Sequence, residues 1–316
     1  MLKSDYQHTV KKSFRIKGIG VHSGVAATLT VRPALPSAGI RFIRTDVRDR
    51  PNVVPARWNF VTETRLCTML SNNHGVSVST VEHLLSAFSG LGLDNAVVEI
   101  DGPEAPIMDG SARCFVEAID RAGLVSQNAR RRVIRIKKTV SCKEDGKEIF
   151  LSPAEGQVFG FEIDFKNPLI GFQKHVHNMT EAAYRRDIAP ARTFGFLHEV
   201  EQLRKAGLAR GGSLDNAIVI DGDKILNPEG LRSENEFVHH KIQDAIGDFF
   251  LTGMRLMGRY HGVRAGHDMN NRLLHTLFSR PDAFEILDLG RKAPRHRVIV
   301  GKAYASDSDL PLAATA

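Results

Sequence analysis

Cysteine is scarce in this chain. Cys67, Cys114 and Cys142 are its three cysteines in 316 residues, and none belongs to a CxxC pair. That spacing excludes a thiolate zinc site and a disulfide framework, and it fits a reducing compartment. Long apolar runs are missing as well, since nothing approaches the roughly 18 residues of a membrane span. The opening "MLKSDYQHTVKKSFRIKG" lacks the apolar core and small-residue cleavage site of a signal peptide, so a cytoplasmic protein is expected. Aromatics make up 7% of residues, and the net charge of +7 is dispersed along the chain. A nucleic-acid-binding protein clusters Lys and Arg among aromatics. Here the densest basic run, "RRRVIRIKK" (130–138), alternates with apolar residues as a strand does, and no nucleic-acid partner is expected. No GxxxxGK[ST], strand-linked GxGxxG or GxSxG occurs, which removes the usual signals of nucleotide hydrolysis, dinucleotide binding and serine hydrolysis. "HEVEQ" (198–202) opens like a zincin HExxH but carries Gln202 where the second histidine must stand.

What is present is a chain with 42% hydrophobic residues, long enough for two cores. Residues 12–54 alternate short apolar runs with turn signals and read as strands and hairpins. Val81, Leu84, Leu85 and Phe88 then fall at helical spacing, with Gly90 or Gly92 as the stop and "NAVVEI" as the next strand. "GSARCFVEAIDRAG" is a second helix, with Ser111 at its N-cap and Gly123 past its end. The polar stretch 124–132 reads as a linker. Beyond it the order repeats: strands at "RVIRIKKTVSC", "KEIFLSPA" and "VFGFEIDF", helices near 193–206 and 236–257, and a late strand "HRVIVG". This predicts an α+β fold of two similar domains, 1–126 and 127–305, each a sheet layered with helices, followed by a frayed tail at 306–316. No coiled-coil heptads appear, so a monomer is expected.

Within "FVHHKIQDAIGDFF" (237–250), Ile242, Ala245, Ile246 and Phe249 gather on one face of the predicted helix. His240, Asp244 and Asp248 line the other. Two readings remain open from spacing alone: a solvated polar face, or an i, i+4 His/Asp pair on one cation with a carboxylate behind it. Glu82 and His83 are neighbours at the start of the earlier helix. There an N-terminal Glu already suits the helix dipole, while His83 could complete a three-donor metal site with Glu82 beside it as a proton acceptor. His267 follows a glycine in "RAGHDMNN" (264–271), either as a solvated loop residue or as a proton donor across the site.

The ordered series "GVHSG" (20–24), "STVEHLLSAFSGLGLDNAVVEIDGPEAPIMDGSA" (79–112), "ARTFGF" (191–196), "GLARGGSLDNAIV" (207–219), "NPEGLRSENEFVHHKIQDAIGD" (227–248) and "AGHDMNN" (265–271) resembles the zinc-dependent UDP-3-O-acyl-N-acetylglucosamine deacetylases of lipid A biosynthesis. The resemblance covers about residues 8–300. It implies one zinc ion on His83, His240 and Asp244, with Glu82 as general base and His267 as general acid. It further implies that Asp248 supports that histidine and that Lys241 and Thr193 surround the reacting amide. His239 receives no role. The site is expected between the two domains, and the acylated substrate brings the protein near the inner face of the inner membrane.

The resemblance also places an inserted helix and hairpin near 193–220 in the second domain. There Leu197, Val200, Ala209, Ser213, Leu214 and Val219 form a passage for the substrate's acyl chain. Gly211 and Gly212 let the hairpin turn closely beside it. Arg264 joins Lys241 as a partner for the diphosphate. Phe194 and Phe196 either flank the sugar or uracil or serve the core. Cys67 lies close to the site without being a ligand, and Arg65 stands where an apolar residue is common near the acyl opening.

Overall fold

Alternating burial builds the first sheet. Along Ala26–Pro33, the side chains of Ala27, Leu29 and Val31 turn inward while their neighbours face out. This strand lies second in a five-stranded sheet ordered Phe14–Ile19, Ala26–Pro33, Ala96–Ile100, Ile40–Arg44 and Val53–Pro55. Ala96–Ile100 runs antiparallel to Ala26–Pro33 and parallel to Ile40–Arg44. A parallel neighbour needs a long crossover, and helix α1 (Glu82–Leu91) lies in that connection. Gly92 ends α1 in the left-handed region, φ 84°, where a side chain would be strained. Helix α2 (Arg113–Ala122) has its N-cap at Ala112, one residue past the expected Ser111, although the Ser111 hydroxyl still accepts the Arg113 N–H.

The computed structural model describes residues 5–290, an α+β fold of several sheets and helices. The second large sheet has seven strands. Five follow the order Val140–Glu144, Lys147–Ser152, Arg255–Val263, Arg132–Ile136 and Phe284–Asp288. Gln157–Asp164 also pairs with Arg255–Val263 and carries Phe172–Asn178 on its outer side. The expected linker at 124–132 is instead largely strand: Leu124–Arg130 pairs antiparallel with Tyr6–Val10. A small sheet of Phe194–Phe196, Ile218–Asp221 and Lys224–Ile225 is covered by helix α3 (Leu197–Lys205). The expected helix near 193–206 therefore begins as a strand.

Helix α4 (Glu236–Phe250) stops seven residues short of the expected 257. Arg255–Val263 leaves it as the nine-residue strand at the centre of the seven-stranded sheet. Helix α5 (His267–Phe278) follows directly. Almost all of α4 is buried, its polar side included, so that side is no solvated face. It lies against α1, and Gly247 marks the crossing: a Cβ there would stand 2.0 Å from the carbonyl oxygen of Glu82. Only a residue without a side chain allows that approach. Among the described residues no helix is long and apolar enough to cross a membrane. The expected strand "HRVIVG" and the tail 306–316 lie outside the described residues.

Candidate metal centre

The crossing of α1 and α4 converges donors from distant parts of the chain. Glu82 and His83 open α1, while His240, Asp244 and Asp248 recur every fourth residue on α4 and so share one face. All five are buried, at 3–4% exposure. Asp244 Oδ1 lies 3.5 Å from His83 Nε2 and 3.3 Å from His240 Nε2. These three residues are the one group of potential metal donors so clustered among the described residues. Donors around a tetrahedral ion with bonds of about 2.0–2.1 Å stand about 3.3–3.4 Å apart, close to both distances. Asp244 Oδ1 is buried and accepts no hydrogen bond, although a buried polar atom normally has a partner. A cation between the imidazoles would satisfy it.

The surroundings fix these donors. His240 Nδ1 stands 3.2 Å from the carbonyl oxygen of Ala191, the usual outer partner that orients a ligating ring. Lys241 donates to Asp244 Oδ2 at 2.8 Å. Burial disfavours charge on Asp244, yet His240 and Lys241 hold its carboxyl well below the usual range. Burial lowers the His240 pKa to about 3, keeping the ring neutral as a ligand must be.

Acid and base character diverge across the site. Burial raises the Glu82 carboxyl above its ordinary pKa, with His267 and His83 opposing. Its Oε2 accepts the Thr68 N–H at 3.1 Å. Burial works against charge on His267, but the Asp248 carboxylate, bonded to Nδ1 at 2.8 Å, raises its pKa to about 9. Asp248 also accepts from the Thr68 hydroxyl at 2.6 Å and the Asn270 amide at 2.8 Å. Neither Thr68 nor Asn270 stood out in the sequence, because a lone Thr or Asn carries no spacing signal. Cys67 is buried, and burial with the nearby Glu82 charge pushes its thiol to about 12.

The remaining expected residues are spread more widely. Thr193 is pinned through its backbone, its N–H donating to Gly110 O and its carbonyl accepting from Ile218 N–H. Phe194 packs edge-on against Phe237 at 4.9 Å and Phe165 at 5.8 Å, and lies 6.2 Å from the His240 ring. Phe196 tilts against Phe165 and stacks near His198. Leu197 and Val200 on α3 are half-buried over the small sheet that holds Val219, whereas Ser213 and Leu214 are exposed in the following loop. Ala209 is buried in the left-handed region, φ 51°. Gly211 is needed for a close approach rather than for a turn. Its N–H donates to Val21 O, and a Cβ there would meet Gly20 O at 2.3 Å. Arg264 is exposed and donates to Gly146 O. Arg65 is exposed too.

Three protein donors rather than four, flanked by a raised carboxyl and a cationic imidazole, are the equipment of a metal-dependent hydrolytic enzyme. Comparison with known proteins narrows that class. The family described as LpxC, UDP-3-O-acyl N-acetylglycosamine deacetylase, matches residues 7–279, and the chain belongs to it. A UDP-3-O-acyl-N-acetylglucosamine deacetylase of Phenylobacterium zucineum is 52% identical over 281 residues, covering 89% of this chain and 96% of the relative. One from Chromohalobacter salexigens is 47% identical over 89% of this chain and 93% of its own length. Another, from Shewanella violacea, is 43% identical over 92% and 95%.

Proposed function

We propose that His83, His240 and Asp244 hold one zinc ion and that Glu82 and His267 exchange protons on opposite sides of it. As a member of its family, the chain is a deacetylase of UDP-3-O-acyl-N-acetylglucosamine in lipid A biosynthesis, a hydrolase of an amide bond. The observation that carries the metal reading is the orphaned Asp244 Oδ1 between two imidazole nitrogens. Two imidazoles and one carboxylate suit zinc, which supplies Lewis acidity to the amide carbonyl and to water.

The chain's own groups do the rest. Glu82, with its raised pKa, accepts a proton from the attacking water. The Lys241 ammonium and the Thr193 hydroxyl stabilise negative charge on the former carbonyl oxygen. Cationic His267 gives its proton to the departing amine, held in line by Asp248. The C–N bond breaks, a C–O bond forms, and acetate leaves the glucosamine amine behind.

The same reading seats the diphosphate near Lys241 and Arg264, the sugar or uracil against Phe194 and Phe196, and the acyl chain along Leu197, Val200, Ala209, Ser213, Leu214 and Val219. Leu197 and Val200, half-buried where α3 meets its small sheet, support such a passage. It also divides the chain into 1–126 and 127–305, with the site between and an insert near 193–220. In support, the five-stranded sheet draws on residues 14–100 and the seven-stranded one on 132–288. All donors come from one chain, as a monomer requires.

The test is acetate release from a UDP-3-O-(3-hydroxyacyl)-N-acetylglucosamine by chelator-stripped protein titrated with zinc. Activity should return near one zinc per chain. Folded, zinc-loaded protein that releases no acetate would reject the substrate, and protein that binds no zinc would reject the centre.

A further inference from the structure

We propose that Thr68 is a positioning residue that holds the proton-accepting and proton-donating sides of the site in register. The proposal rests on the roles given above to Glu82 and His267. Thr68 is 2% exposed and directly precedes the strand Met69–Ser71. Each of its three polar groups engages a different part of the centre. Its N–H donates to Glu82 Oε2 at 3.1 Å, and its carbonyl accepts from Val81 N–H at 3.4 Å, just ahead of α1. Its hydroxyl donates to Asp248 Oδ1 at 2.6 Å, joining residues 180 apart in sequence.

The direction of these bonds follows from chemistry. An ionised carboxylate only accepts, so the Thr68 hydroxyl must donate. Asp248 Oδ2 takes the Asn270 amide and His267 Nδ1, both at 2.8 Å. Nδ1 therefore carries a hydrogen in either charge state of the ring. That leaves Nε2, which faces the Asp244 side at 3.9 Å, to exchange the proton. Asn270 is itself braced by the Tyr260 hydroxyl at 3.0 Å. Without the Thr68 hydroxyl, Asp248 Oδ1 loses this donor, the carboxylate can rotate, and the His267 ring turns with it. Thr68 is neither a metal donor nor among the residues assigned to the substrate. Its loss should thus act on turnover and leave substrate affinity and metal binding alone.

The test uses full-length, zinc-loaded protein and the deacetylation assay, comparing Thr68→Val, Thr68→Ser and Glu82→Gln. Removing the hydroxyl in Thr68→Val should lower kcat about 10- to 100-fold, the worth of one hydrogen bond to a charged group. KM and the zinc content per chain should stay near wild type. Thr68→Ser, which keeps the donor, should recover most of the loss. A readout independent of turnover is the ¹⁵N spectrum of the His267 imidazole, in which a sharp Nδ1–H signal should broaden in Thr68→Val. Should Thr68→Val fail to fold, Thr68→Ala removes the same donor without placing a methyl in its stead. An unchanged kcat in the hydroxyl-free variant, beside an inactive Glu82→Gln, would overturn the proposal. So would a Ser variant as impaired as Val, because packing of the methyl would then be the cause. A fully active Glu82→Gln would be a different failure, overturning the base assignment on which the register depends.

Discussion

Replacing Gly247 by alanine tests how far the chemistry depends on one helix crossing. The added Cβ would lie 2.0 Å from the Glu82 carbonyl oxygen, 2.7 Å from its carbonyl carbon and 2.9 Å from its Cα. Ordinary contact begins at 3.4 Å, so α1 and α4 must part by about 1.4 Å there, given how closely protein interiors pack. The three nearest atoms are all backbone of Glu82, so no flexible side chain can swing away to relieve them. Overpacking of this kind costs about 1–3 kcal/mol, while alanine recovers about 1 kcal/mol of helix propensity over glycine. The net loss of about 0–2 kcal/mol leaves a folded protein.

The site should fail first. Glu82 and His83 ride on the displaced end of α1, whereas Asp244 sits one turn before Gly247 on α4. Metal donors tolerate about 0.2 Å of error, and a misplacement of about 1 Å can cost roughly 10²-fold in rate. Urea unfolding, zinc titration against a competing chelator, and acetate release should therefore show a modestly destabilised protein with much weaker zinc binding. They should also show kcat reduced at least about 10²-fold. Unchanged zinc affinity and turnover would refute the argument that this glycine sets the donor spacing.

Other expectations follow from the same geometry. Glu82→Gln should keep its zinc, measured by metal analysis, yet lose about 10²–10⁴-fold in kcat. Arg192 is 1% exposed and donates to Glu236, which is fully buried at the start of α4. Arg192→Met removes the counter-charge of that carboxylate, leaving it the backbone N–H groups of residues 192 and 232, and should cost about 3–5 kcal/mol in urea unfolding. Burial holds His177 and His239 near a pKa of about 4 in the folded chain. The unfolded chain binds more protons below pH 6.5, so this contribution is present above that pH and lost as pH falls toward 4. Stability should drop by up to about 1.4 kcal/mol per pH unit for each histidine, and His177→Gln should flatten the slope between pH 6 and 5. Leu214→Trp should shift the enzyme toward shorter acyl chains in a competition assay, and an unchanged preference would move the passage elsewhere.

Periodicity finds α1 from its apolar stripe but leaves Gly90 and Gly92 both open as its stop, and the helix runs through Gly90 to end at Gly92. It also put His240, Asp244 and Asp248 on one side of α4. What it could not show was that this side is dry, since polar residues on a helix look alike whether they face water or another helix. The first three residues of the strand Arg255–Val263 read as helix, because Leu256 and Met257 continue the apolar residues of α4. Thr68 and Asn270 escaped notice for a different reason. Their importance lies in what stands next to them, and those neighbours are 180 and 22 residues away.

The crossing of α1 and α4 also sets a timetable for synthesis. His83 and His267 are 184 positions apart, which a ribosome covers in roughly 10–40 s at about 5–20 residues per second. Until α4 is made, the growing chain carries Glu82 and His83 with no partner helix to cover them. A product truncated before α4 therefore holds one of the three metal donors, and the proton donor His267 is added later still.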